Sequence, residues 1–355
     1  MIRKTKWIKA LALASLFSIC LIGFTGCNTK TSSDKSQTKQ DYITKSSFKL
    51  NTFVTINIYD KQEESLLDGA MQICDYYEKI FSRTSKESEL YQFNHGMRNE
   101  ATDGRNQSTV SKELAEVISQ GLHYSAESDG AFDVTVANLS DLWNFSAENP
   151  RVPEQSEIDA LLPYVNYKDV KVDGTTVTMK DKNMAIDLGA IAKGYIADRI
   201  KDYLVSNGVK SATINLGGNV LCVGKKIDGT PFNIGIQKPF ADRNEIIATI
   251  AVDNLSVVSS GIYERCFTVN GKFYHHILNP KTGYPYDTDL VGITIISEKS
   301  VDGDGLSTTC FSLGVEKGLE LINSMENVYA VFITSEDEII YSDGLKENFT
   351  ITEIK

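Results

Sequence analysis

A short stretch rich in acidic and hydroxyl residues, Asp302-Gly-Asp-Gly-Leu-Ser-Thr-Thr309, contains side chains suited to chemistry at a metal ion. It follows the apolar run 290–297 and leads into the helix-like segment 309–313. If a helix begins near Asp304, the side chains of Asp304 and Thr308 lie one turn apart on the same face. A carboxylate and a hydroxyl in this arrangement favour a hard cation such as Mg²⁺, which takes oxygen ligands.

Two other interpretations of this stretch compete with the metal site. In the first, Asp304 caps the N-terminus of the helix, and the Ser and Thr residues occupy its first turn. In the second, the stretch is a calcium loop, but the acidic and Gly spacing of an EF-hand is not kept past Gly305. The calcium loop is therefore excluded, and the rest of the chain must decide between a cation site and a helix cap.

The first residues predict export and attachment to a lipid. Cations at positions 3, 4, 6 and 9 precede an apolar run from Ala10 to Phe24, the pattern of a secretion signal rather than of a membrane span. The segment Leu21-Ile-Gly-Phe-Thr-Gly-Cys27 resembles a bacterial lipobox. This resemblance implies cleavage before Cys27 and lipidation (palmitate included) of its thiol and amine, so residues 1–26 are predicted to be a lipoprotein signal peptide. The alternative is a secreted protein in which Cys27 occurs by chance.

Residues 27–41 are predicted to form a flexible tether, because they are polar, lack aromatic side chains and cannot bury enough apolar surface to fold. Removing the four signal-peptide cations takes the net charge from −11 to −15. Such a balance argues against nucleic-acid binding through a basic surface, and it offers no attraction to anionic lipids. We therefore expect the lipid at Cys27 to hold the protein at the outer side of the cytoplasmic membrane.

Residues 42–355 are long enough for one large or two closely packed domains, and helices and antiparallel strands in separate runs predict an α+β fold. Four cysteines remain here, at positions 74, 222, 266 and 310, with wide spacings and no CxxC. This spacing argues against a zinc site and leaves three disulfide pairings open; we interpret these residues mostly as small buried hydrophobes.

Periodicity predicts the principal elements of this region. The predictions used below are one strand over 48–59, helices over 63–81 and 111–124, a hairpin around Asp173-Gly174, a strand running into a helix over 184–206, a strand over 211–215 that Gly217-Gly218 breaks, a helix from near Asp304 and a second helix over 315–325.

Six segments then stand out together, and in chain order they resemble motifs of the ApbE-like family of FAD:protein FMN transferases. They are Phe81-Ser-Arg-Thr84, Gly130-Ala-Phe-Asp-Val-Thr135, Asp187-Leu-Gly-Ala-Ile-Ala-Lys-Gly194, Asn215-Leu-Gly-Gly-Asn219, His275-His-Ile-Leu-Asn-Pro-Lys-Thr-Gly-Tyr-Pro285 and Asp304-Gly-Leu-Ser-Thr308. The resemblance runs from Phe48 to Tyr341. It implies an ApbE-like α+β fold, with mixed or antiparallel sheets and flanking helices around a central FAD cleft, and Mg²⁺ as cofactor.

The resemblance also implies roles for individual residues. Asp304, Thr308 and the backbone carbonyl of Ala190 match the metal ligands, and Asp304 and His276 are the catalytic candidates. The implied FAD contacts are Leu50, where the family often has Met, Thr84, Ala131, Phe132, Asp133, Asp187, Lys193 and Ile277. Thr84 departs from the family, because many members carry Tyr there and Thr cannot stack on an aromatic ring.

Simpler interpretations of some of these residues stay open. Lys193 can be a solvated residue on a helix face, and Phe132 can be a core residue. His275 and His276 can serve orientation or packing rather than proton transfer.

The resemblance implies transfer of FMN from FAD to a Thr or Ser hydroxyl of exported acceptor proteins, with AMP released. Such acceptors carry a short Asp-Gly-x-Ser/Thr-type motif, and modification is expected in trans. One alternative is a Mg²⁺-dependent FAD pyrophosphatase that uses water as nucleophile. The other is an extracytoplasmic lipoprotein that binds flavin without chemistry, which intact Asp304 and Thr308 disfavour because a carrier needs no metal at the pyrophosphate.

Overall fold

Strands and helices occur together through the whole part of the chain that the computed structural model describes, residues 42–242 and 245–354. The predicted signal peptide, lipobox and tether lie outside the described residues. The strands are β1 (Ile43–Lys49), β2 (Thr52–Ile58), β3 (Asn106–Thr109), β4 (Val170–Asp173), β5 (Thr176–Met179), β6 (Ser211–Leu216), β7 (Asn219–Gly224), β8 (Phe232–Gln237), β9 (Ile246–Val252), β10 (Ser256–Gly261), β11 (Cys266–Val269), β12 (Lys272–His275), β13 (Leu290–Ser297), β14 (Tyr329–Thr334), β15 (Ile339–Tyr341) and β16 (Ile351–Glu353). The α-helices are α1 (Glu64–Phe81), α2 (Glu89–Asn94), α3 (Lys112–Glu127), α4 (Ala137–Trp143), α5 (Gln155–Leu161), α6 (Ala192–Ser206), α7 (Ser300–Asn323) and α8 (Leu345–Asn348). The predicted α+β class is confirmed.

The largest sheet has the strand order β1-β2-β6-β7-β10-β13-β14-β15, and its neighbouring strands are antiparallel. Every residue of β13 is buried, because this strand lies between β10 and β14 and α7 packs against it. Smaller sheets contain β3-β5-β4, β8-β9-β16 and the β11-β12 hairpin. The hairpin predicted around Asp173-Gly174 is the β4-β5 pair.

Helices α6 and α7 pack against each other and against β7, and this contact positions the residues predicted to do chemistry. A Cβ on Gly194 would lie 2.3 Å from the carbonyl oxygen of Ser300 and 2.6 Å from the Cα of Val301. Only glycine allows this approach, because both of the atoms that it would meet belong to the backbone. In the described residues, no helix is long and apolar enough to cross a bilayer.

The strand predicted over 48–59 is wrong, because this segment is the β1-β2 hairpin with Leu50 and Asn51 in its turn. Both turn residues have positive φ, 55° and 56°, as a two-residue type I′ turn requires. Two turn residues keep the alternation of inward and outward side chains in phase, so Phe48 pairs with Phe53 across the hairpin. The sequence pattern therefore continues through the reversal and conceals it.

Residues 184–189 do not form the predicted strand, although the helix that follows is present as α6. Side chains and loops supply their hydrogen bonds instead of a neighbouring strand. The amide of Ile186 donates to Asn94 Oδ1 at 2.8 Å, and Asn94 Nδ2 donates to the Ile186 carbonyl at 2.8 Å. The amide of Asp187 donates to the Val134 carbonyl at 2.7 Å.

The turn at Gly217-Gly218 does not simply end a strand, because it connects β6 to β7, which the sequence analysis missed. Both glycines have positive φ, as tight turns often require. The reversal places Asn219 at the start of β7, next to α7.

Helix α7 begins at Ser300, one turn earlier than predicted, so Asp304 lies inside the helix and does not cap it. The side chain of Asp198 on α6 takes the capping role: its carboxylate accepts from the amides of Ser300 at 2.8 Å and Val301 at 3.0 Å. The second helix predicted over 315–325 is the continuation of α7 beyond Gly314, whose φ of 78° and ψ of 178° interrupt the helical geometry.

The cysteines at positions 74, 222, 266 and 310 are free, and all but the partly exposed Cys266 are buried. Burial raises the pKa of the Cys74, Cys222 and Cys310 thiols to about 12. These thiols therefore stay protonated and behave as small hydrophobes, as predicted.

We expect Gly194→Ala to destabilise the fold by about 1–3 kcal/mol, because the new methyl group must push α6 away from the backbone of α7. Urea denaturation at neutral pH measures this effect. Gly292→Ala is the matched control, since its Cβ would meet nothing nearer than 3.8 Å. Equal stability of the two variants would contradict the close-contact interpretation.

Candidate active site

Asp304 is the centre of the candidate site, and its carboxylate is 4% exposed. Oδ2 accepts a hydrogen bond from the amide of Gly194 at 2.6 Å, and Oδ1 accepts from Asn219 Nδ2 at 3.0 Å. A carboxylate has about four lone-pair positions, so these two bonds leave capacity for a further ligand. Lys193 Nζ lies 3.8 Å from Oδ2, which places a cation beside the carboxylate.

The oxygen donors near Asp304 fit a hard cation. Thr308 lies four residues along α7 on the same face, and its side chain is partly exposed. The amide of Gly194 donates to Asp304 rather than to the Ala190 carbonyl four residues before it, so that carbonyl is left without its helical partner. In 42–242 and 245–354, no three His, Cys, Asp or Glu side chains gather as a metal cluster. Carboxylate, hydroxyl and carbonyl together suit Mg²⁺ rather than a softer metal.

His276 is close enough to Lys193 for the charge of that side chain to affect its pKa. Its Nδ1 is 3.3 Å from the carbonyl oxygen of Arg265. Because a carbonyl only accepts, Nδ1 carries the proton and Nε2 keeps a lone pair. Burial, followed by the charges of Arg265, His275 and Lys193, lowers the pKa of His276 to about 3, so the ring is neutral at pH 7.

Asp187 is tied to the segment after α1 by Arg83. Arg83 Nε lies 3.2 Å from Asp187 Oδ2, and the same guanidinium pairs with Asp141. Burial alone would lower the pKa of Arg83, but the two carboxylates outweigh burial and raise it. The other Asp187 oxygen accepts from the amide of Gly189 at 2.8 Å. Thr84, next to Arg83, is exposed.

In the segment Ala131–Asp133, the side chains of Phe132 and Asp133 are buried, and Ala131 is partly exposed. The ring of Phe132 is 5% exposed and belongs to the main core. The Asp133 carboxylate accepts from Thr135 N at 2.8 Å, Thr135 Oγ1 at 2.6 Å and Tyr167 N at 2.9 Å, while burial raises its pKa. Phe132 is therefore a core residue, and the Asp133 carboxylate stabilises the conformation of its own loop.

Tyr286 links this segment to the histidine motif. Its hydroxyl donates to the Ala131 carbonyl at 2.8 Å, and its amide donates to the Ile277 carbonyl at 3.0 Å. His275 Nδ1 accepts from the amide of Ile277 at 3.3 Å, so His275 Nε2 carries the proton and donates to the Tyr286 carbonyl at 2.9 Å. His275 thus has the orienting role that the sequence left open.

Leu50 lies apart from these groups, in the β1-β2 turn. Its link to the site runs through Thr52, whose side chain packs against Gly217 in the turn that precedes Asn219. The structure thus places Lys193 beside Asp304, and the charge of Lys193 acts on His276. Tyr286 joins Ala131 to Ile277 through hydrogen bonds.

Two open depressions of the surface contain none of the predicted site residues. One, of about 430 Å³, is lined by residues between Lys346 and Glu353. The other, of about 270 Å³, is lined by residues including Phe240, Tyr263 and Cys266. The candidate site is therefore assigned from its chemistry and not from the size of a cavity.

Comparison with known proteins gives the family of the chain. The model of the ApbE family matches residues 50–333. The chain belongs to the ApbE family. It is 38% identical over 299 residues to the FAD:protein FMN transferase of Klebsiella pneumoniae (strain 342), covering 84% of this chain and 90% of that protein. It is 28% identical over 325 residues to the enzyme of the same name from Treponema pallidum (strain Nichols), covering 86% and 88%.

Solved structures of ApbE proteins agree with the fold. The ApbE protein of Thermotoga maritima superposes with a TM-score of 0.77 at 30% identity, covering 86% of this chain and 98% of that one. The flavin transferase ApbE from Vibrio cholerae gives a TM-score of 0.76 at 25% identity, with the same coverage. The predicted ApbE-like fold, with antiparallel sheets and flanking helices, is confirmed.

The sequence analysis missed four residues that support this ApbE-family site: Arg83, Asp198, Asn219 and Tyr286. Arg83, Asn219 and Tyr286 lie inside or directly beside the quoted motifs, so their position was a usable signal. Asp198 lies in the middle of α6, and its position in the sequence gave no signal of its capping role.

The depressed pKa of His276 predicts a loss of stability in acid. Below about pH 6.5 the unfolded chain binds a proton that the folded ring refuses until about pH 3, so the free energy of unfolding falls as the pH falls through this window. Between pH 7.5 and 5.5 the loss attributable to His276 is about 1 kcal/mol. Urea denaturation at both pH values measures the free energy of unfolding, and in His276→Gln its decrease between pH 7.5 and 5.5 should be smaller by this amount.

His123→Gln is the control, because that side chain is 64% exposed on α3. If His276→Gln shows the same difference between the two pH values as the wild type, the lowered pKa of His276 is contradicted.

Proposed function

We propose that the chain catalyses Mg²⁺-dependent transfer of FMN from FAD to a Thr or Ser hydroxyl of exported acceptor proteins, with release of AMP. The chain is an enzyme of the FAD:protein FMN transferase class, the name that relatives covering most of its length carry. The observation that best supports the finer proposal is the group of Asp304, Lys193 and the Ala190 junction, where oxygen donors and a cation meet.

The residues of this group suit displacement at a pyrophosphate. Mg²⁺ bound by Asp304, Thr308 and the Ala190 carbonyl would neutralise charge on the pyrophosphate and fix its orientation. Lys193 supplies a second positive charge at 3.8 Å from Asp304, and the N-terminus of α6 beside it favours anions. The site would also hold the acceptor hydroxyl close to the phosphorus and in line with the bond that breaks.

His276 is the candidate base for the acceptor hydroxyl. Its Nε2 keeps a free lone pair because Nδ1 donates to the Arg265 carbonyl. The cations Arg265 and Lys193 contribute to its low pKa, and the phosphates of bound FAD would offset their charges. Substrate binding would therefore make His276 a stronger base at the moment when a proton has to be accepted.

The leading alternative is hydrolysis of FAD to FMN and AMP at the same site. Thr84 motivates it, because an exposed Thr stands where many family members have Tyr. The exported and tethered location proposed below favours passing FMN directly to a protein over releasing it by hydrolysis. We therefore place transfer first and treat hydrolysis as a side reaction.

The test is incubation of the protein with FAD and Mg²⁺, with and without an acceptor protein. Mass spectrometry should find FMN on the acceptor Thr and none on the enzyme itself, and the modification should disappear when that Thr is changed to Val. Asp304→Asn keeps the shape of the side chain but removes its charge, so transfer should fall at least about 100-fold, as it should for wild type in excess chelator.

Asp302→Asn is the matched control on the same helix, since Asp302 accepts from the Tyr124 hydroxyl outside the proposed metal site. Free FMN and AMP formed at equal rates with and without acceptor would establish the pyrophosphatase instead. FAD binding with no product at all would establish a flavin carrier.

We propose further that the mature protein begins at a lipidated Cys27 and faces the outside of the cytoplasmic membrane. The support is the sequence alone, since Cys27 ends a lipobox-like segment. In Cys27→Ser the precursor should remain uncleaved or be released, because the thiol that receives the lipid is absent. Membrane fractionation and the mass of the chain measure this, and normal processing with unchanged membrane association would contradict the lipid anchor.

A further inference from the structure

The carboxylate of Asp304 is held by the side chain of Asn219, which has no role in the function proposed above. Asn219 is 1% exposed at the start of β7, and its Nδ2 donates to Asp304 Oδ1 at 3.0 Å. The amide of Gly194 holds the other oxygen at 2.6 Å. Because each oxygen accepts one bond of fixed direction, the plane of the carboxylate is set by the protein itself.

The orientation of Asn219 is in turn fixed by two buried serines. Ser300 Oγ donates to Asn219 Oδ1 at 2.7 Å, and Ser256 Oγ donates to Ser300 Oγ at 2.9 Å. Both serines are fully buried. An ionised carboxylate only accepts hydrogen bonds, so the amide nitrogen of Asn219 must face Asp304 and its oxygen must face Ser300.

This chain of bonds joins three different elements. Asn219 is on β7, Ser256 is on β10, and Ser300 and Asp304 are on α7. Asp198 on α6 fixes the first turn of α7 by accepting from the amides of Ser300 and Val301. A buried polar network costs desolvation, and an apolar contact between helix and sheet would avoid that cost. A network of this kind at a proposed metal ligand therefore points to a role in orienting that ligand.

We propose that Asn219 is a positioning residue for the metal site, and that Ser300 and Ser256 support it with decreasing effect. This inference rests on the proposed function, because it assumes a cation bound at Asp304. Partners that orient a metal ligand typically contribute 10- to 100-fold to metal affinity. Loss of the Asn219 amide should therefore weaken the cation at Asp304 while the fold and the FAD contacts remain.

The experiment measures Mn²⁺ binding to the full-length chain, purified in detergent, by electron paramagnetic resonance. Mn²⁺ takes the same oxygen ligands as Mg²⁺ and reports binding without turnover. Asn219→Ala should raise the dissociation constant for Mn²⁺ about 10- to 100-fold. Ser300→Ala should raise it by a smaller factor, and Ser256→Ala by less than about twofold, in the order of their distance from Asp304 along the chain of bonds. The KM for FAD at saturating metal should change less than the metal affinity does.

Asn57→Ala is the matched control. Asn57 is also an asparagine in the large sheet, and its Nδ2 donates to Thr213 Oγ1 at 2.9 Å, but its hydrogen bond does not involve Asp304. It should leave Mn²⁺ affinity unchanged, and its thermal stability is measured together with that of Asn219→Ala. The control thus separates the loss of a sheet hydrogen bond from the loss of orientation at Asp304.

Wild-type affinity in both Asn219→Ala and Ser300→Ala would overturn the positioning role and leave the proposed function intact. If Asn219→Ala does not fold, Ser300→Ala alone decides, because it keeps the amide but removes the bond that orients it. Mn²⁺ binding that is identical in wild type and Asp304→Asn would overturn the proposed metal site itself, and the positioning role with it.

Discussion

The close contact of α6 with the first turn of α7 is the constraint on which the site depends. Gly194 lies against the backbone of Ser300, too near for any Cβ. At that distance the Gly194 amide reaches Asp304, and the Asp198 carboxylate reaches the amides at the start of α7. A single wide residue at position 194 would separate all three of these bonds at once. The orientation of the Asp304 carboxylate therefore depends directly on the packing of α6 against α7.

The local charge at the site differs from the charge of the whole chain. The sequence has a net charge of −11, which on average repels a pyrophosphate. Around Asp304 the balance is different, because Lys193 lies beside the carboxylate and Arg265 is close enough to affect His276. Short distances matter more than the net charge here, since salt screens distant charges over about 8–10 Å. An acidic protein can therefore hold an anionic cofactor.

Two other carboxylates, Asp133 and Asp187, were predicted to contact FAD, and both are bonded to other groups of the protein. Asp133 accepts three hydrogen bonds from its own loop and from Tyr167, and Asp187 is paired with Arg83. These bonds fix the orientation of both carboxylates. Asp304 has two such hydrogen bonds, fewer than Asp133, and its side chain is 4% exposed against 20% for Asp187. Asp304 thus combines the burial of Asp133 with fewer internal hydrogen bonds, and it lies beside Lys193.

The sequence by itself determined the class of the fold, most of its helices and strands, and the motifs that contain Asp304, Lys193 and His276. The motifs that contain Lys193 and His276 were identified by their resemblance to the ApbE family. The fold class, the helices and strands, and the spacing of Asp304 and Thr308 follow from local patterns: apolar periodicity, turn residues and the spacing of polar side chains. Prediction from the sequence failed at the β1-β2 hairpin, because a two-residue turn keeps the alternation of side chains in phase. It also failed over 184–189, where hydrogen bonds with Asn94 replace those of a neighbouring strand.

Only the tertiary structure decided how α7 begins and what holds Asp304. The cap of this helix is Asp198, which is 102 residues away from Ser300 in the sequence, and Asn219 is 85 residues away from Asp304. Such partners leave no periodic signal, because each bond depends on how α6, α7 and β7 pack in space. Local sequence motifs therefore identify the candidate reactive residues, whereas their orientation depends on how the helices and the sheet pack.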